Sequence, residues 1–338
     1  MSTFLRQRSG VGLLLALWLL ALGSTPVQAE GAATPAADPA AVQVERQKVQ
    51  PLNNAPVWRE VRSGEVHFTT VRGPETGVLI QSEGQVWRQW RNGPVTLYGG
   101  LLLLVVPAAI GLFYLVKGGL KLHAAPTGRK IQRFSTVERI VHWGTAGCFV
   151  VLALTGVCIL FGKHFIEPVF GQAVLGGLLR VGKTVHNYLG PVFLVFTVLM
   201  IVMFARDNVW QAIDSMWIRK AGGLASGEHV PSGRFNFGEK TWFWIGVTFL
   251  GLIVAGSGLV MDFPNFGQIR ATMQLANLIH GVCAMLLIAL SLGHIYMGTI
   301  GVQGAYQSMR TGYVDETWAK EHHESWYDEV KAGRSSHP

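Results

Sequence analysis

The chain has 338 residues, of which 49% are hydrophobic and 14% charged, and its formal net charge is +8. That balance excludes an ordinary pair of soluble domains and points to a membrane bundle. The basic residues stand mostly beside hydrophobic runs, not on a basic helix with interleaved aromatics, so the charge reports topology and excludes nucleic acid as a partner.

Residues 1–29 carry Arg6 and Arg8, an apolar run from Val11 to Leu22 and the small-residue ending Val27, Gln28, Ala29. This is the layout of a secretory signal peptide cleaved after Ala29; an uncleaved anchor is the other reading. Residues 30–95 are expected to form an extracytoplasmic linker and small docking segment, rich in Ala and Pro to about residue 50. From Asn53 to Asn92 the chain is polar, with Trp58, Trp87 and Trp90 among arginines. This stretch either pairs as short strands or lies on a partner, and it is too small for a catalytic domain.

Five spans follow, at 97–116 (interrupted by Pro107), 140–161, 185–205, 241–261 and 271–307, each near the ~20 apolar residues that cross a bilayer or longer. The organisation is an extra first transmembrane helix at 96–117, a four-helix core at 118–310 and a tail at 311–338. Lys117, Lys121, Arg129, Lys130 and Arg133 follow the first span and mark the cytoplasmic side. Alternation then puts 162–184 outside, 206–240 inside, the loop around Pro264 outside and the tail inside. The expected location is a bacterial inner membrane, with the mature N-terminus periplasmic and the C-terminus cytoplasmic.

The fifth span holds no Asp, Glu, Lys or Arg from Ala271 to Gln307, but it carries His280 and His294. Fourteen residues at about 100° each bring both imidazoles to nearly one face, roughly 21 Å apart along the axis. An intramembrane histidine is a functional-site candidate. A hydrogen bond to a neighbouring helix is the simpler role for each. His142 opens the second span on its inner side and His186 the third on its outer side, so depth pairs His142 with His294 and His186 with His280. Two pairs at two depths fit bis-histidine ligation of two haems, each iron taking a neutral imidazole on both axial positions. A proton relay would bring Asp or Glu into the spans, and a zinc or copper site would gather its ligands at one depth. Gly144, Gly147, Gly190 and Gly298 either admit a macrocycle or let helices approach.

Cys148, Cys158 and Cys283 lie in apolar runs without CxxC or CxxCH spacing, so any haem is non-covalent and no disulfide framework is expected. His67, His123, His164, His229, His322 and His323 read as surface histidines of loops and tail.

Residues 131–330 resemble the γ subunit, the cytochrome b membrane anchor, of respiratory membrane-bound formate dehydrogenases. The resemblance is carried by RFSTVERIVHWGTAG, VHNYLGP, RFNFGEK, LIHG, GHIYMGTIGVQGAYQSMRTGYV and TWAKEHHESWY. It implies an all-α di-haem cytochrome b bundle, partnered by an iron-sulfur β subunit and a molybdenum or tungsten catalytic α subunit. It implies two haem b, with His186/His280 holding the outer and His142/His294 the inner, and a quinone, menaquinone or ubiquinone, reduced near the cytoplasmic face. Formate itself would be oxidised elsewhere. Quinone contact in the family falls on the loop before the fourth span, here Asn236 and, nearby, Glu239, where some relatives have Gln. Two other readings stand beside it: the cytochrome b of a nickel-iron hydrogenase or related oxidoreductase, and a haem-free membrane anchor or assembly scaffold.

Overall fold

The structure is a computed structural model that describes residues 82–223, 226–227 and 230–334, with a few positions before them. The chain divides into a unit Met1–Pro56 and a unit Val57–Pro338, and the account below concerns the second. The signal peptide, the linker, His67 and His229 lie outside the described residues.

The fold is helical, and five helices are long and apolar enough to cross a membrane: Gly84–Lys117, Thr136–Phe165, Glu167–Phe204, Phe237–Asp262 and Arg270–Gly301. The first is built from α1 (Ser82–Trp90), a π-helical turn at Arg91–Val95 and α2 (Thr96–Lys117). Pro94 has no N–H to give the helical ladder, which accounts for the local widening. The helix runs through Pro107 without a break, as spans tolerate when neighbouring groups satisfy the freed carbonyl. Residues 82–92 are therefore helical, not strands, and Trp87 Nε1 donates to Asn277 Oδ1 of the fifth span at 3.2 Å.

The core hairpin is α3 (Thr136–Phe165) against α4 (Glu167–Phe204). The expected 162–184 loop is absent. Both helices continue through it, and the reversal is confined to the residues around Ile166 and Gly171, whose φ of 80° is a left-handed turn that glycine supplies without strain. The reason lies in residues 172–184, where Val174, Leu175, Leu178, Leu179 and Val181 keep a helical pattern. Isolated glycines there cost only about 1 kcal/mol each against alanine.

After the short helix α5 (Ala212–Arg219), the fourth span joins α6 (Phe237–Thr241), a π-helical stretch Trp242–Leu250 and α7 (Gly251–Asp262). The fifth is α8 (Arg270–Tyr296) with a π-helical end, Met297–Gly301. α7 packs on both α8 and α4, closing a four-helix core, while α2 packs chiefly on α8 at the edge. Between them Cys148, Phe193, Leu250, Ala255 and Leu287 form a buried apolar cluster, with Leu287 halfway between His280 and His294. The outward faces stay apolar and exposed, Leu104 by 71% and Val202 by 71%, as lipid-facing surfaces do.

The tail folds back as α9 (Ala305–Thr311), β2 (Tyr313–Asp315), α10 (Glu316–His322) and α11 (Glu324–Lys331). β2 pairs antiparallel with β1 (Lys130–Gln132), Ile131 opposite Val314. Val314, Trp318, Ala319 and Trp326 bury a second small core beneath the bundle.

Candidate functional site: two stacked histidine pairs

The four intramembrane histidines come together as two pairs. The His186 and His280 ring centres are 6.0 Å apart, and those of His142 and His294 are 6.2 Å apart. Two imidazoles on opposite sides of one metal, each bonded at about 2 Å, would have ring centres roughly 6 Å apart, so both spacings suit a shared iron. Among the described residues no group of three or more His, Cys, Asp or Glu forms a metal cluster. Two imidazoles per site match the axial positions of a haem iron better than tetrahedral zinc.

The first pair, His186 and His280, has a built surround. Thr155 Oγ1 lies 2.8 Å from His186 Nδ1 and donates its own proton to Val151 O at 2.8 Å, so the histidine must be the donor between them. His280 Nδ1 lies 2.9 Å from the Val254 carbonyl, which can only accept, and 3.3 Å from Ser257 Oγ, whose proton goes to Ile253 O. Each Nδ1 is thereby assigned the proton, and each Nε2 keeps its lone pair for a metal. A Cβ on Gly156 would reach His186 Cε1 at 3.3 Å, and one on Gly258 would reach His280 Cε1 at 3.4 Å. Each imidazole edge rests on a glycine next in sequence to its hydroxyl.

The second pair, His142 and His294, is held differently. His294 lies flat against Trp242, and His142 Nδ1 is buried with no hydrogen-bond partner among the described residues. Gly147 and Gly298 face open space, whereas a Cβ on Gly144 would strike Phe196 at 2.3 Å, so Gly144 serves close packing.

At the same end two copies of one short pattern interlock. Arg133-Phe134-Ser135 precedes Glu138, and Arg234-Phe235-Asn236 precedes Glu239. Ser135 and Asn236 cap their helices in capping boxes with those glutamates. Arg133 Nη2 donates to Arg234 O at 2.8 Å and to Glu239 at 3.1 Å; Arg234 Nη2 donates to Arg133 O at 2.9 Å and to Glu138 at 2.7 Å. Arg234 also pairs with Asp207. Both guanidiniums stand over Phe134 and Phe235, and Arg133 also over Trp318 at 4.9 Å. Burial lowers the Arg133 pKa from its ordinary value, and the Glu239 carboxylate opposes that effect.

The repeat extends into the spans. Thr155-Gly156 begins seventeen residues after Glu138, and Ser257-Gly258 eighteen after Glu239. The wider π-helical turn at Trp242–Leu250 takes up the extra residue. The His186/His280 pair is thus held by matching parts of two hairpins, α3–α4 and α7–α8; the His142/His294 pair draws on α3 and α8, with Trp242 as backing.

The two quinone candidates, Asn236 and Glu239, are both engaged as caps, and Glu239 also faces Arg133, leaving 34% of its side chain exposed. The surface expectation for His323 is corrected. It is 1% exposed, wedged between Trp318 and Trp326, with Nδ1 2.8 Å from Gly233 O. Its aromatic neighbours lie on the tail helices, whose folding back a linear reading does not foresee. The cysteines are free thiols. Thr155, Ser257, Trp242 and Arg234 escaped the sequence reading, which took Arg133 only as a marker of the cytoplasmic side. The hydroxyl-glycine dipeptides and the repeated Arg-Phe-(Ser/Asn) before a Glu were the available signals.

A multi-pass helical membrane protein with paired histidines across its core is of the cytochrome b class. A family model described as prokaryotic cytochrome b561 matches residues 133–312, and the chain belongs to that family. The family implies haem b. The formate dehydrogenase cytochrome b556(fdo) subunit of Escherichia coli K12 is 31% identical over 205 residues, covering 60% of this chain and 93% of that protein. The nitrate-inducible cytochrome b556(Fdn) subunit of the same strain is 28% identical over 209 residues, covering 60% and 93%. The formate dehydrogenase cytochrome b556 subunit of Haemophilus influenzae is 27% identical over 205, covering 59% and 83%. The family match lies wholly after the first span, Gly84–Lys117.

Proposed function

We propose that this chain is the membrane-anchoring electron-transfer subunit of a formate dehydrogenase, carrying electrons from an extracytoplasmic iron-sulfur subunit through two b haems to quinone near the cytoplasmic face. The kinship with formate dehydrogenase cytochrome b556 subunits names the complex. The observation that carries the two-haem part is the pair of histidine pairs, 6.0 and 6.2 Å across, sharing α8. Haem iron supplies a one-electron ferric/ferrous couple when bound. The chain's part is to present Nε2 lone pairs at two depths about 21 Å apart, to exclude water with the Leu287 cluster and to seal the His142 end with the arginine clasp. In this reading His186 and His280 face the periplasm, His142 and His294 the cytoplasm, with the protein in the inner membrane. Asn236 and Glu239 border the quinone, and the catalytic partner is a molybdenum or tungsten subunit.

Purification of the tagged chain from its native membrane tests this. Two b haems per chain and co-purification of an iron-sulfur and a molybdopterin subunit are expected. Absence of haem, or a nickel-iron subunit in place of the molybdopterin one, would overturn the assignment.

A further inference from the structure

We infer that Thr155 and Ser257, each followed by a glycine, are positioning residues that fix the outer histidine pair and make it the lower-potential of the two sites. The inference rests on the two-haem reading above. Four observations carry it. Thr155 Oγ1 and the Val254 carbonyl accept from the two outer Nδ1 atoms at 2.8 and 2.9 Å, with Ser257 Oγ at 3.3 Å. The hydroxyls also lie 2.8 and 2.6 Å from Val151 O and Ile253 O, carbonyls that can only accept, which favours the histidines as the donors. Gly156 lets the His186 ring edge seat where a Cβ would be tight at 3.3 Å, and Gly258 leaves the His280 edge room where a Cβ would already be in contact at 3.4 Å. A hydroxyl residue followed by glycine occurs at matching places in two hairpins, which makes the arrangement a built one.

The consequence is electronic. A histidine that gives its Nδ1 proton to an acceptor places more electron density on Nε2 and becomes a stronger donor to the metal. Stronger axial donation favours the ferric state, and hydrogen bonding around the ligands is one of the protein's levers on potential. The inner pair is held by ring stacking on Trp242 and by burial, and His142 Nδ1 has no hydrogen-bond acceptor among the described residues. The built acceptors therefore lower the outer potential relative to the inner, and the gradient runs from the His186 end to the His142 end.

The test is a potentiometric titration of the purified haem-loaded protein, followed optically, in the full-length chain and in His294→Ala, which is expected to leave only the outer site loaded. Thr155→Val removes the hydroxyl at nearly constant volume. It is expected to raise the outer ferrous-to-ferric ratio about tenfold at fixed potential, about 59 mV for one electron, with the inner midpoint unmoved. Ser257→Ala gives a smaller rise, because the Val254 carbonyl still accepts, and Thr155→Ser restores the original midpoint. If Thr155→Val sheds the outer haem, retention with an unaltered midpoint in Thr155→Ser supports the positioning role, and loss in both overturns it. An outer midpoint unchanged, lowered, or moved together with the inner one also overturns the inference while leaving two haems in place. A wild-type chain with fewer than two haems overturns the functional reading beneath it.

Discussion

Trp242 lies flat on His294, ring centres 4.9 Å apart and planes within 13° of parallel. The contact fixes the His294 imidazole from one face by ring stacking. Ring stacking contributes about 0.5–1.5 kcal/mol beyond the area it buries. Trp242→Ala is therefore expected to weaken haem retention at the inner site by up to about tenfold. Trp242→Phe should cost less. Haem-to-chain ratios after dilution and dialysis check this, and equal retention in all three proteins would count against a positioning role.

The two pairs lie at different depths on one helix, so their losses are separable. His280→Ala is expected to remove one b-type signal and His294→Ala the other, each leaving about half the haem. Reduced-minus-oxidised spectra with paramagnetic resonance of the ferric forms distinguish them. Loss of the same signal in both variants would refute the two-depth arrangement.

The clasp predicts stability effects. Arg234 and Glu138 are 8% and 7% exposed and bonded at 2.7 Å, and breaking such a buried pair from one side costs about 3–5 kcal/mol. Arg234→Ala should lower the thermal midpoint of the detergent-solubilised protein sharply, and Arg234→Lys should recover little, because lysine cannot span Arg133 O, Glu138 and Asp207 with one planar fork. Lys240 and Asp214, 3% and 0% exposed and 2.8 Å apart, should behave alike. Asp214→Ala strands the ammonium, whereas replacing both by apolar residues of similar volume should be nearly neutral.

The spans, the histidines and their partners by depth were legible because each rests on local chemistry. A charge-free run longer than the bilayer, a fourteen-residue spacing and a basic cluster need no tertiary knowledge. The supports of those histidines were not legible, since Thr155 lies thirty-one residues from His186 and Ser257 twenty-three from His280, and a lone Thr-Gly or Ser-Gly in an apolar helix means little until the partner ring is placed. The arginine clasp joins residues 101 apart, and its repeated pattern becomes informative only when the two copies touch. His323 was read as solvated because the surrounding tail is polar, but the cover comes from Trp318 and Trp326 once α10 and α11 fold onto the loops.

The tail carries a pH-sensitive joint. Lys331, then Tyr327 and Arg129, bond Glu316 and hold its carboxyl at about 2, below the ordinary 4.5. A carboxyl whose folded-state value is depressed stabilises the fold fully above about 4.5, progressively less as the pH falls, and not at all below about 2. Cleavage of the tail by an acid-active protease should therefore rise as pH falls through that window. Glu316→Gln should be cleaved more readily above pH 4.5 and show a flatter profile, and an unchanged profile would remove Glu316 as its source.

Glu239 stands at the meeting point of cap, clasp and proposed quinone contact. Its Oε2 accepts from the Asn236 N–H at 2.9 Å and its Oε1 from Arg133 at 3.1 Å, while a third of the side chain stays exposed. Glutamine keeps an oxygen for the cap or for Arg133 but loses the charge and the capacity to pass a proton. If the carboxylate serves only the clasp, Glu239→Gln should lower stability modestly and leave quinone reduction unchanged in rate and pH dependence. If it also serves the quinone, the variant should keep both haems and their potentials yet reduce quinone several-fold more slowly, with a flattened pH profile. Measuring haem content, midpoint potentials and quinone reduction on the same preparation separates the two cases. Unchanged rate and pH dependence with both haems present would withdraw Glu239 from the quinone site and leave it to the helix cap.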